Sequence, residues 1–156
     1  MALIPLNGGV AAIVDEADVS LILGRTWRAA RRPDGTAAAV VAGSGYKGTV
    51  ELMHRVLMCA APGSIVDHIN GNALDNRRAN LRFCTHAENS RNRRRASHNR
   101  SGFKGVYLDK RSRKYVAEIV ADGRKRYLGC YERPEDAHLA YRTMAEILHG
   151  EFARTT

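Results

Sequence analysis

The sequence predicts an α+β protein that consists of two small modules. Short strand-like apolar runs separated by turns occupy residues 10–84 and are followed by one short helix. Further along the chain, two strand-like runs meet at Asp122-Gly123, a pair that favours a tight hairpin turn. An apolar stripe at helical spacing begins after Pro134. These observations predict a mixed N-terminal module and a C-terminal three-stranded antiparallel sheet packed on one helix.

The chain is strongly basic for its size. Its 156 residues include 25 lysines and arginines and 16 acidic residues, which gives a formal net charge of +9. A small protein with this balance is expected to bind a polyanion, which could be DNA, RNA or an anionic membrane. The apolar runs are far shorter than the roughly 20 residues that span a bilayer, and the first residues lack a signal-peptide pattern. We therefore expect an intracellular protein that binds nucleic acid and not a membrane.

The three cysteines, Cys59, Cys84 and Cys130, are too far apart to suggest a structural role for their sulfur atoms. Their number is odd and no CxxC pair is present. A disulfide framework or a zinc site built from cysteines would need closer, paired spacing. We expect buried, reduced thiols.

The N-terminal part is predicted to begin with a strand at residues 10–14, followed by a helix that Asp15 caps and Gly24 ends. Trp27 is predicted to be a core residue. Further strands are expected at residues 27–31, 37–42 and 49–53, and one or two helical turns at residues 53–59. The first 50 residues are interpreted as a scaffold or as an accessory DNA-contacting sheet.

The segment with the most chemical information lies between residues 64 and 91. An apolar strand ends in a polar loop, a second strand returns at residues 80–84, and Thr85 with Glu88 forms a capping box that starts a helix at His86. The order strand, loop, strand, helix places Asp67 and His68 at the end of the first strand. It places Asn89 in the first turn or so of the helix.

These residue types suit the hydrolysis of a phosphodiester. A histidine with a pKa near neutrality can take the proton from the attacking water, which is the role expected of His68. A hard divalent cation can neutralise the phosphate and the leaving oxygen, and Asp67 and Asn89 offer oxygen ligands for it. Asn80 can accept a hydrogen bond and fix the His68 ring. Each residue alone is commonly structural, but their combination in a basic chain predicts a nuclease.

The same segment resembles the HNH endonucleases with a ββα-metal (His-Me finger) fold, particularly the phage and intron-encoded homing type. The resemblance implies that Asp67 and Asn89 are the metal ligands, that His68 is the general base and that Asn80 orients it. Because Asn89 stands where the family name has a histidine, magnesium is favoured over zinc, with manganese as the alternative. His86 is expected to be a surface residue. The matching positions are Asp67-His68-Ile69-Asn70-Gly71-Asn72, Leu74-Asp75-Asn76-Arg77-Arg78, Asn80-Leu81-Arg82 and Asn89, with His54-Arg55 ahead of them.

The C-terminal part resembles the Apetala/ethylene-response-factor DNA-binding domain. Strands are predicted at residues 103–109, 115–121 and 125–131, and a helix from Pro134 to Gly150. The resemblance implies that the sheet enters the major groove of DNA. The positions that match its DNA-facing ones are Lys104, Tyr107, Glu118, Val120, Lys125 and Tyr127.

The predicted division is a nuclease domain at residues 1–95 with its motif core at 64–95, a basic linker at 96–101 and a DNA-binding domain at 102–156. Arginines around the linker could follow the minor groove, and other basic side chains are read as phosphate contacts. The basic residues expected to contact DNA, besides Lys104 and Lys125, are Arg77, Arg82, Arg93, Arg94, Arg95, Arg111, Lys114, Arg124 and Arg126.

Three functions compete at this stage. The first is a site-specific homing-type endonuclease of a phage or bacterial host, in which one module cuts double-stranded DNA and the other selects the site. The second is a DNA-binding protein or regulator that derives from such a nuclease and no longer cuts. RNA binding is disfavoured because the chain lacks an aromatic RRM sheet or a GXXG loop. A monomer without an obligate protein partner is expected, because two unlike modules need no twofold partner.

Overall fold

The computed structural model describes residues 1–31, 37–42, 50–96 and 98–155. The chain divides into two compact units, Met1–His86 and Ala87–Thr156, which are described separately below. Two predicted positions, Thr49 in the strand at 49–53 and Ser97 in the linker, lie outside the described residues. The domain bounds expected from the sequence, 1–95 and 102–156, stay a prediction.

In its described residues, the first unit contains three small antiparallel sheets and two short helices, which confirms the mixed fold class. Strands β1 and β2 form one sheet, β3, β4 and β5 a second, and β6 and β7 a third. Its elements are β1 (Ala2–Pro5), β2 (Ala11–Val14), α1 (Val19–Ile22), β3 (Arg28–Arg31), β4 (Ala37–Ala42), β5 (Glu51–Leu52), α2 (Met53–Leu57), β6 (Ile65–His68) and β7 (Leu81–Cys84).

All strands expected in this unit are present, but β1 was not predicted. Its side chains alternate between partly buried and exposed, and the exposed face carries Leu3. An apolar residue on the solvent side hides the period-two pattern that identifies a half-buried strand. The pairing of Leu3 with Ile13 in β2 is therefore visible only in the folded chain.

The core of the first unit is built from aliphatic side chains around Trp27. The indole is buried, as predicted, and its Nε1 donates to the carbonyl of Ile22 at 3.0 Å. Burying the ring without this bond would leave a polar N–H unsatisfied. The largest fully buried apolar side chains around it are Val14, Val40, Met53 and Leu57.

Strand β2 is bonded to the polar loop that follows β6. The backbone N–H of Ile13 donates to the carbonyl of Leu74, and the N–H of Asn76 donates to the carbonyl of Ile13, both at 2.7 Å. Ile13 and Asp75 form a parallel bridge at the same place. The N-terminal strands therefore act as a scaffold for this loop, one of the two roles expected for them.

Two aspartates after β2 fix the far end of the same loop. The carboxylate of Asp15 accepts from the backbone N–H of Arg78 at 2.8 Å. Buried Asp18 accepts from Arg78 Nε at 2.8 Å and from its Nη2 at 3.0 Å. The expected side-chain cap is wrong: the Asp15 carboxylate makes no capping hydrogen bond, and residues 16–18 form a 3-10 turn before α1. The carboxylate is directed instead at the backbone N–H of Arg78.

The second unit consists of α3 (His86–Arg91, whose first residue closes the first unit), β8 (Val106–Leu108), β9 (Tyr115–Ala121), β10 (Arg124–Tyr131) and α4 (Pro134–His149). The three strands form an antiparallel sheet, as predicted, and their order in it is β10–β9–β8. Asp122 and Gly123 turn with positive φ angles of 52° and 72°, which confirms the hairpin. The start of α3 at His86 is confirmed as well.

Helix α4 packs on this sheet through its apolar stripe. Ala137, Tyr141 and Ala145 are buried against Val106 and Ile119 and their neighbours. The spacing of four residues keeps these three side chains on one face of the helix. The sequence pattern identified this face correctly.

One glycine is required by the packing of α4. Gly105 has a φ of 74°, and a Cβ built on it would overlap the ring of Tyr141. Any other residue would therefore meet both backbone strain and a steric clash.

The three cysteines are free thiols. Cys59 and Cys130 are exposed, so the expectation of buried thiols is wrong for these two. Both positions lie at turns or on the outer strand β10, where period-based reasoning carries no burial signal. Among the described residues, no helix is long and apolar enough to cross a bilayer.

The ion pair of Arg78 predicts a stability effect in the first unit. We expect Arg78→Ala to lower its free energy of unfolding by about 1–3 kcal/mol, because buried Asp18 loses its cation. Urea titration followed by the fluorescence of Trp27, the single tryptophan, measures this unit. As a matched control, Arg142→Ala removes an exposed pair with Glu146 at 4.0 Å and should leave the midpoint unchanged. Equal midpoints for Arg78→Ala and the wild type would contradict the assignment.

Candidate functional site

The β6–β7 hairpin positions the two residues on which the predicted chemistry depends. Asp67 lies opposite Arg82 and His68 lies opposite Leu81. Neighbouring side chains on a strand leave from opposite faces, and both Asp67 and His68 are nonetheless buried. The end of β6 is therefore enclosed on both faces, and each side chain has its own surroundings.

The ring of His68 is held by a side chain of the loop. Its Nε2 lies 3.2 Å from Oδ1 of Asn76, which is fully buried. The amide nitrogen of Asn76 donates to the carbonyl of Ala73 at 3.1 Å. The His68 ring is therefore attached to the same loop that β2 fixes.

A second histidine contacts the ring of His68. His54 lies in α2, and the two ring centroids are 5.0 Å apart with their planes at 75°, an edge-to-face contact. Nδ1 of His54 is buried and has no hydrogen-bond partner among the described residues. Burial, together with the nearby His68 and Arg55, lowers the pKa of His54 to about 4. His54 is therefore uncharged at neutral pH.

His68 is also kept neutral by its surroundings. Burial lowers the pKa of His68 below its usual value, while the hydrogen bond with Asn76 and the charges of Asp67 and Asp75 oppose that shift. Desolvation outweighs the two carboxylates. A neutral imidazole has one nitrogen lone pair, so this ring can accept a proton.

The carboxylate of Asp67 is paired inside the hairpin. Its Oδ2 lies 3.3 Å from Nη2 of Arg82, and both side chains are about a tenth exposed. The cross-strand register of β6 and β7 brings these two residues together. Arg82 is thus a buried partner of Asp67, which differs from the exposed phosphate contact expected from the sequence.

The side chain of Asn80 shapes the loop and does not reach His68. Its Oδ1 accepts from the backbone N–H of Asn70 at 2.9 Å. Its Nδ2 donates to Oδ1 of Asn70 at 3.0 Å and to the carbonyl of Asp75 at 2.7 Å. In place of the hydrogen bond expected between Asn80 and the His68 ring, the ring is hydrogen-bonded to the side-chain oxygen of Asn76.

Asp75 and Arg77 form a two-point ion pair within the loop. Arg77 Nε and Nη2 each lie 2.7 Å from one oxygen of Asp75. This pairing holds the pKa of the buried Asp75 carboxyl below its usual value. Arg77 keeps an exposed edge, so its expected contact with DNA stays a prediction.

Two predicted positions lie in helix α3. Asn89 is partly buried within this helix, and its role as a metal ligand stays a prediction. His86, the first residue of the helix, is exposed, as expected for a surface residue.

Comparisons with known proteins match the segment in which this site lies. The family model described as HNH endonuclease matches residues 52–91. Protein 3.8 of Escherichia phage T7 is 36% identical over 92 residues, which are 59% of this chain and 75% of that protein. Residues 52–91 are therefore an HNH endonuclease domain. An uncharacterized HNH endonuclease of Acanthamoeba polyphaga mimivirus is 36% identical to the chain over 88 residues, which are 56% of this chain.

The chain spans only 44% of the length of that mimivirus relative. No solved structure matches it. The matched family model ends at residue 91, so the resemblance of the C-terminal part to the Apetala/ethylene-response-factor domain gains no support from it. The hairpin, its loop and α2 all lie within the matched residues.

The donor chemistry of the HNH site fits a hard divalent cation. Among the described residues, no group of three or more His, Cys, Asp or Glu side chains is placed to hold a metal ion. The predicted donors are one carboxylate and one amide oxygen. A site in which the protein supplies so few oxygen ligands suits a cation whose other ligands are water or phosphate oxygens. A thiolate- or imidazole-rich zinc site is not formed by these residues.

The sheet of the second unit exposes most of the residues expected to face DNA. Tyr127 is 64% exposed, Val120 is exposed, and the side chain of Lys125 is 78% exposed. Glu118 accepts from the hydroxyl of exposed Tyr107 at 3.0 Å and lies 3.8 Å from Nζ of Lys125. The other exposed basic residues among those predicted are Arg93, Arg94, Arg95, Arg111, Lys114, Arg124 and Arg126.

Lys104 differs from that set. It is partly buried in the loop before β8, its Nζ donates to the carbonyl of Arg91, and burial lowers its pKa to about 8. Its predicted place on the DNA-facing sheet is therefore wrong, because Lys104 lies in a loop and its side chain reaches the last residue of α3. Lys114 and Arg126 are exposed but pair with Glu132 at 2.6 Å and with Asp122 at 3.0 Å.

Two site residues, Asn76 and His54, were given no role at the sequence level. Both belong to the segments that resemble HNH enzymes, and that resemblance is the signal that could have marked them. Their contact with His68 depends on the path of an irregular loop and on the position of α2, which residue spacing does not encode.

The lowered pKa of His54 predicts a pH-dependent stability. The unfolded chain has a histidine pKa of about 6.5, so between that value and about 4 the unfolded state binds a proton that the folded state excludes. The free energy of unfolding of the first unit should therefore fall as the pH is lowered through this window. His68, whose pKa is also lowered, acts in the same direction.

Urea titrations at several pH values, followed by Trp27 fluorescence, measure this dependence. His54→Phe keeps the edge contact with His68 and should flatten part of the slope. The matched control is His86→Phe, which changes an exposed histidine and should leave the slope as in the wild type. A His54→Phe curve parallel to the wild-type curve would show that folding does not lower the pKa of His54.

Proposed function

We propose that the protein is an endonuclease that hydrolyses phosphodiester bonds of double-stranded DNA with one divalent cation and His68 as the general base. The single observation that carries the proposal is the neutral, buried ring of His68, fixed by Asn76 at 3.2 Å and adjacent to Asp67. A neutral imidazole held at a strand end can take a proton from water at physiological pH.

Asp67 and Asn89 are the residues proposed to hold the cation, with magnesium favoured and manganese as the alternative. When bound, such a cation would neutralise the phosphate and stabilise the departing oxygen. Arg82, 3.3 Å from Asp67, forms an ion pair with this buried carboxylate. Asn80 holds the backbone of Asn70 and so keeps the loop in shape beside His68.

DNA selection is proposed to depend on the exposed sheet of the second unit. Tyr107, Lys125 and Tyr127 share its outer face around Glu118, and arginines flank it. Aromatic and polar side chains on a sheet can read base edges, whereas flanking arginines bind phosphates without sequence preference. This division of labour corresponds to a site-specific, homing-type enzyme that acts as a monomer.

Loss of cleavage without loss of binding is expected from the site variants. With magnesium, the wild type should relax or linearise supercoiled plasmid, and EDTA should stop it. His68→Ala should cut about 10²–10⁴-fold more slowly, because the general base is removed. Asp67→Asn keeps a partner for Arg82 but weakens the proposed ligand, and it should lose cleavage while gel shifts show unchanged DNA affinity.

Asp136→Asn changes an exposed aspartate on α4 and is the matched control for that loss of charge. Plasmid cleavage by His68→Ala equal to that of the wild type would rule out the proposed general base. Tight DNA binding with no cleavage by any preparation would favour the regulator over the enzyme.

A second set of variants tests the DNA-binding surface. Arg111→Ala and Arg124→Ala should each weaken binding and reduce the slope of log affinity against log salt by about one, because each removes one phosphate contact. Fluorescence anisotropy at several salt concentrations measures both quantities. Arg142→Ala, on the exposed side of α4, is the control and should leave the slope unchanged. Identical slopes for all three would place DNA elsewhere on the protein.

A further inference from the structure

Among the described residues, six large side chains are fully buried, and the side chain of Asn76 is the polar one of them. Its polar groups have partners. The backbone N–H donates to the carbonyl of Ile13, the amide nitrogen donates to the carbonyl of Ala73, and the amide oxygen faces Nε2 of His68. A polar side chain at zero exposure is costly unless each group is satisfied. Its contacts therefore determine its orientation.

The orientation of the Asn76 amide follows from its two neighbours. The carbonyl of Ala73 can only accept a hydrogen bond, so the amide nitrogen must face it, at 3.1 Å. The amide oxygen then faces the imidazole of His68, at 3.2 Å. A rotated amide would set two acceptors against each other at Ala73.

An amide oxygen accepts and never donates. The hydrogen in this contact must therefore belong to Nε2 of His68. A neutral imidazole carries one N–H, so its lone pair is on Nδ1.

We propose that Asn76 is a positioning residue that holds His68 in the Nε2–H tautomer and so makes Nδ1 the atom that takes the proton from the attacking water. The catalytic part of this inference rests on the proposed function. In the step concerned, an O–H bond of water breaks and its proton goes to Nδ1. The water oxygen forms a bond to phosphorus, and the bond from phosphorus to the leaving oxygen breaks.

The neighbours of His68 support this division of roles. His54 presents its ring in an edge-to-face contact with His68 and so restricts rotation of the imidazole. Asn80 is engaged with Asn70 and Asp75 and shapes the loop. The side chain of Asn76 is hydrogen-bonded to the ring itself, so it acts on the proton position as well as on the ring orientation.

An asparagine suits this role better than an aspartate would. A carboxylate at the same place would also accept from Nε2, but its charge would favour the imidazolium, which has no lone pair for water. The amide offers the acceptor without the charge. Among enzymes, loss of the group that fixes a catalytic tautomer costs several orders of magnitude in rate.

Nitrogen NMR of the full-length protein tests the tautomer without any metal or substrate. Long-range proton–nitrogen correlations at about pH 8, above the usual histidine pKa, distinguish a protonated ring nitrogen from one with a lone pair. In the wild type we expect a protonated Nε2 and an unprotonated Nδ1 for His68. In Asn76→Leu, which nearly preserves side-chain volume, both nitrogens should shift toward intermediate values as the tautomers interconvert.

Cleavage kinetics provide the second readout. Asn76→Leu and Asn76→Ala should lower kcat by about tenfold or more while KM stays within about twofold, because the proton acceptor is perturbed and DNA binding is not. The matched control is Asn72→Ala. This change removes the hydrogen bond that the backbone N–H of Leu74 donates to the side chain of Asn72 in the same loop. It should leave both the tautomer of His68 and kcat unchanged.

A wild-type His68 that is protonated on Nδ1 would overturn the inference, and so would an Asn76→Leu protein with wild-type nitrogen shifts and kcat. If Asn76→Leu fails to fold by Trp27 fluorescence, Asn76→Ala and the wild-type spectrum still decide. Cleavage that His68→Ala leaves intact would instead sink the proposed function, while the nitrogen spectra continue to test the tautomer. Loss of cleavage in His68→Ala with full kcat in both Asn76 variants would remove the inference alone.

Discussion

Two backbone hydrogen bonds hold the candidate site together, and both involve Ile13. The loop between β6 and β7 has no strand or long helix of its own, and residues in such a segment are normally free to move. Ile13 lies in β2, much earlier in the chain, and its backbone is hydrogen-bonded to Leu74 and to Asn76, each at 2.7 Å. These two bonds fix the loop to β2. Asn76 in turn fixes the ring of His68. The N-terminal strands are thus part of the site even though they carry none of its chemistry.

The electrostatics of the site depend on balance between burial and charge. Asp67 and Asp75 both raise the pKa of His68, yet burial outweighs them and the ring stays neutral. Each carboxylate has an arginine partner, Arg82 or Arg77, which limits its effect on the imidazole. The neighbouring His54, neutral through its own burial, adds no charge to the balance. As a result, the His68 imidazole is unprotonated although two carboxylates lie near it.

Most of the fold could be predicted from the sequence, because it follows local periodicity and turn chemistry. Apolar periodicity predicted the strand that ends at Asp67 and His68, and it predicted the apolar face of α4. Turn chemistry predicted the hairpin at Asp122-Gly123. The partner of His68 could not be predicted, because Asn76 and Asn80 lie in the same irregular loop and only its path distinguishes them. The burial of Arg82 depends on register, and that of Lys104 on a loop, which local patterns do not fix.

Gly105 has a consequence for how sequences of this type can be compared. Its positive φ and its contact with Tyr141 exclude every larger residue for two independent reasons. A related sheet with a side chain at this position, just before β8, would have to lift its helix away from the sheet. A glycine at this position is therefore a better criterion for a relative of this C-terminal module than any of the module's charged surface residues.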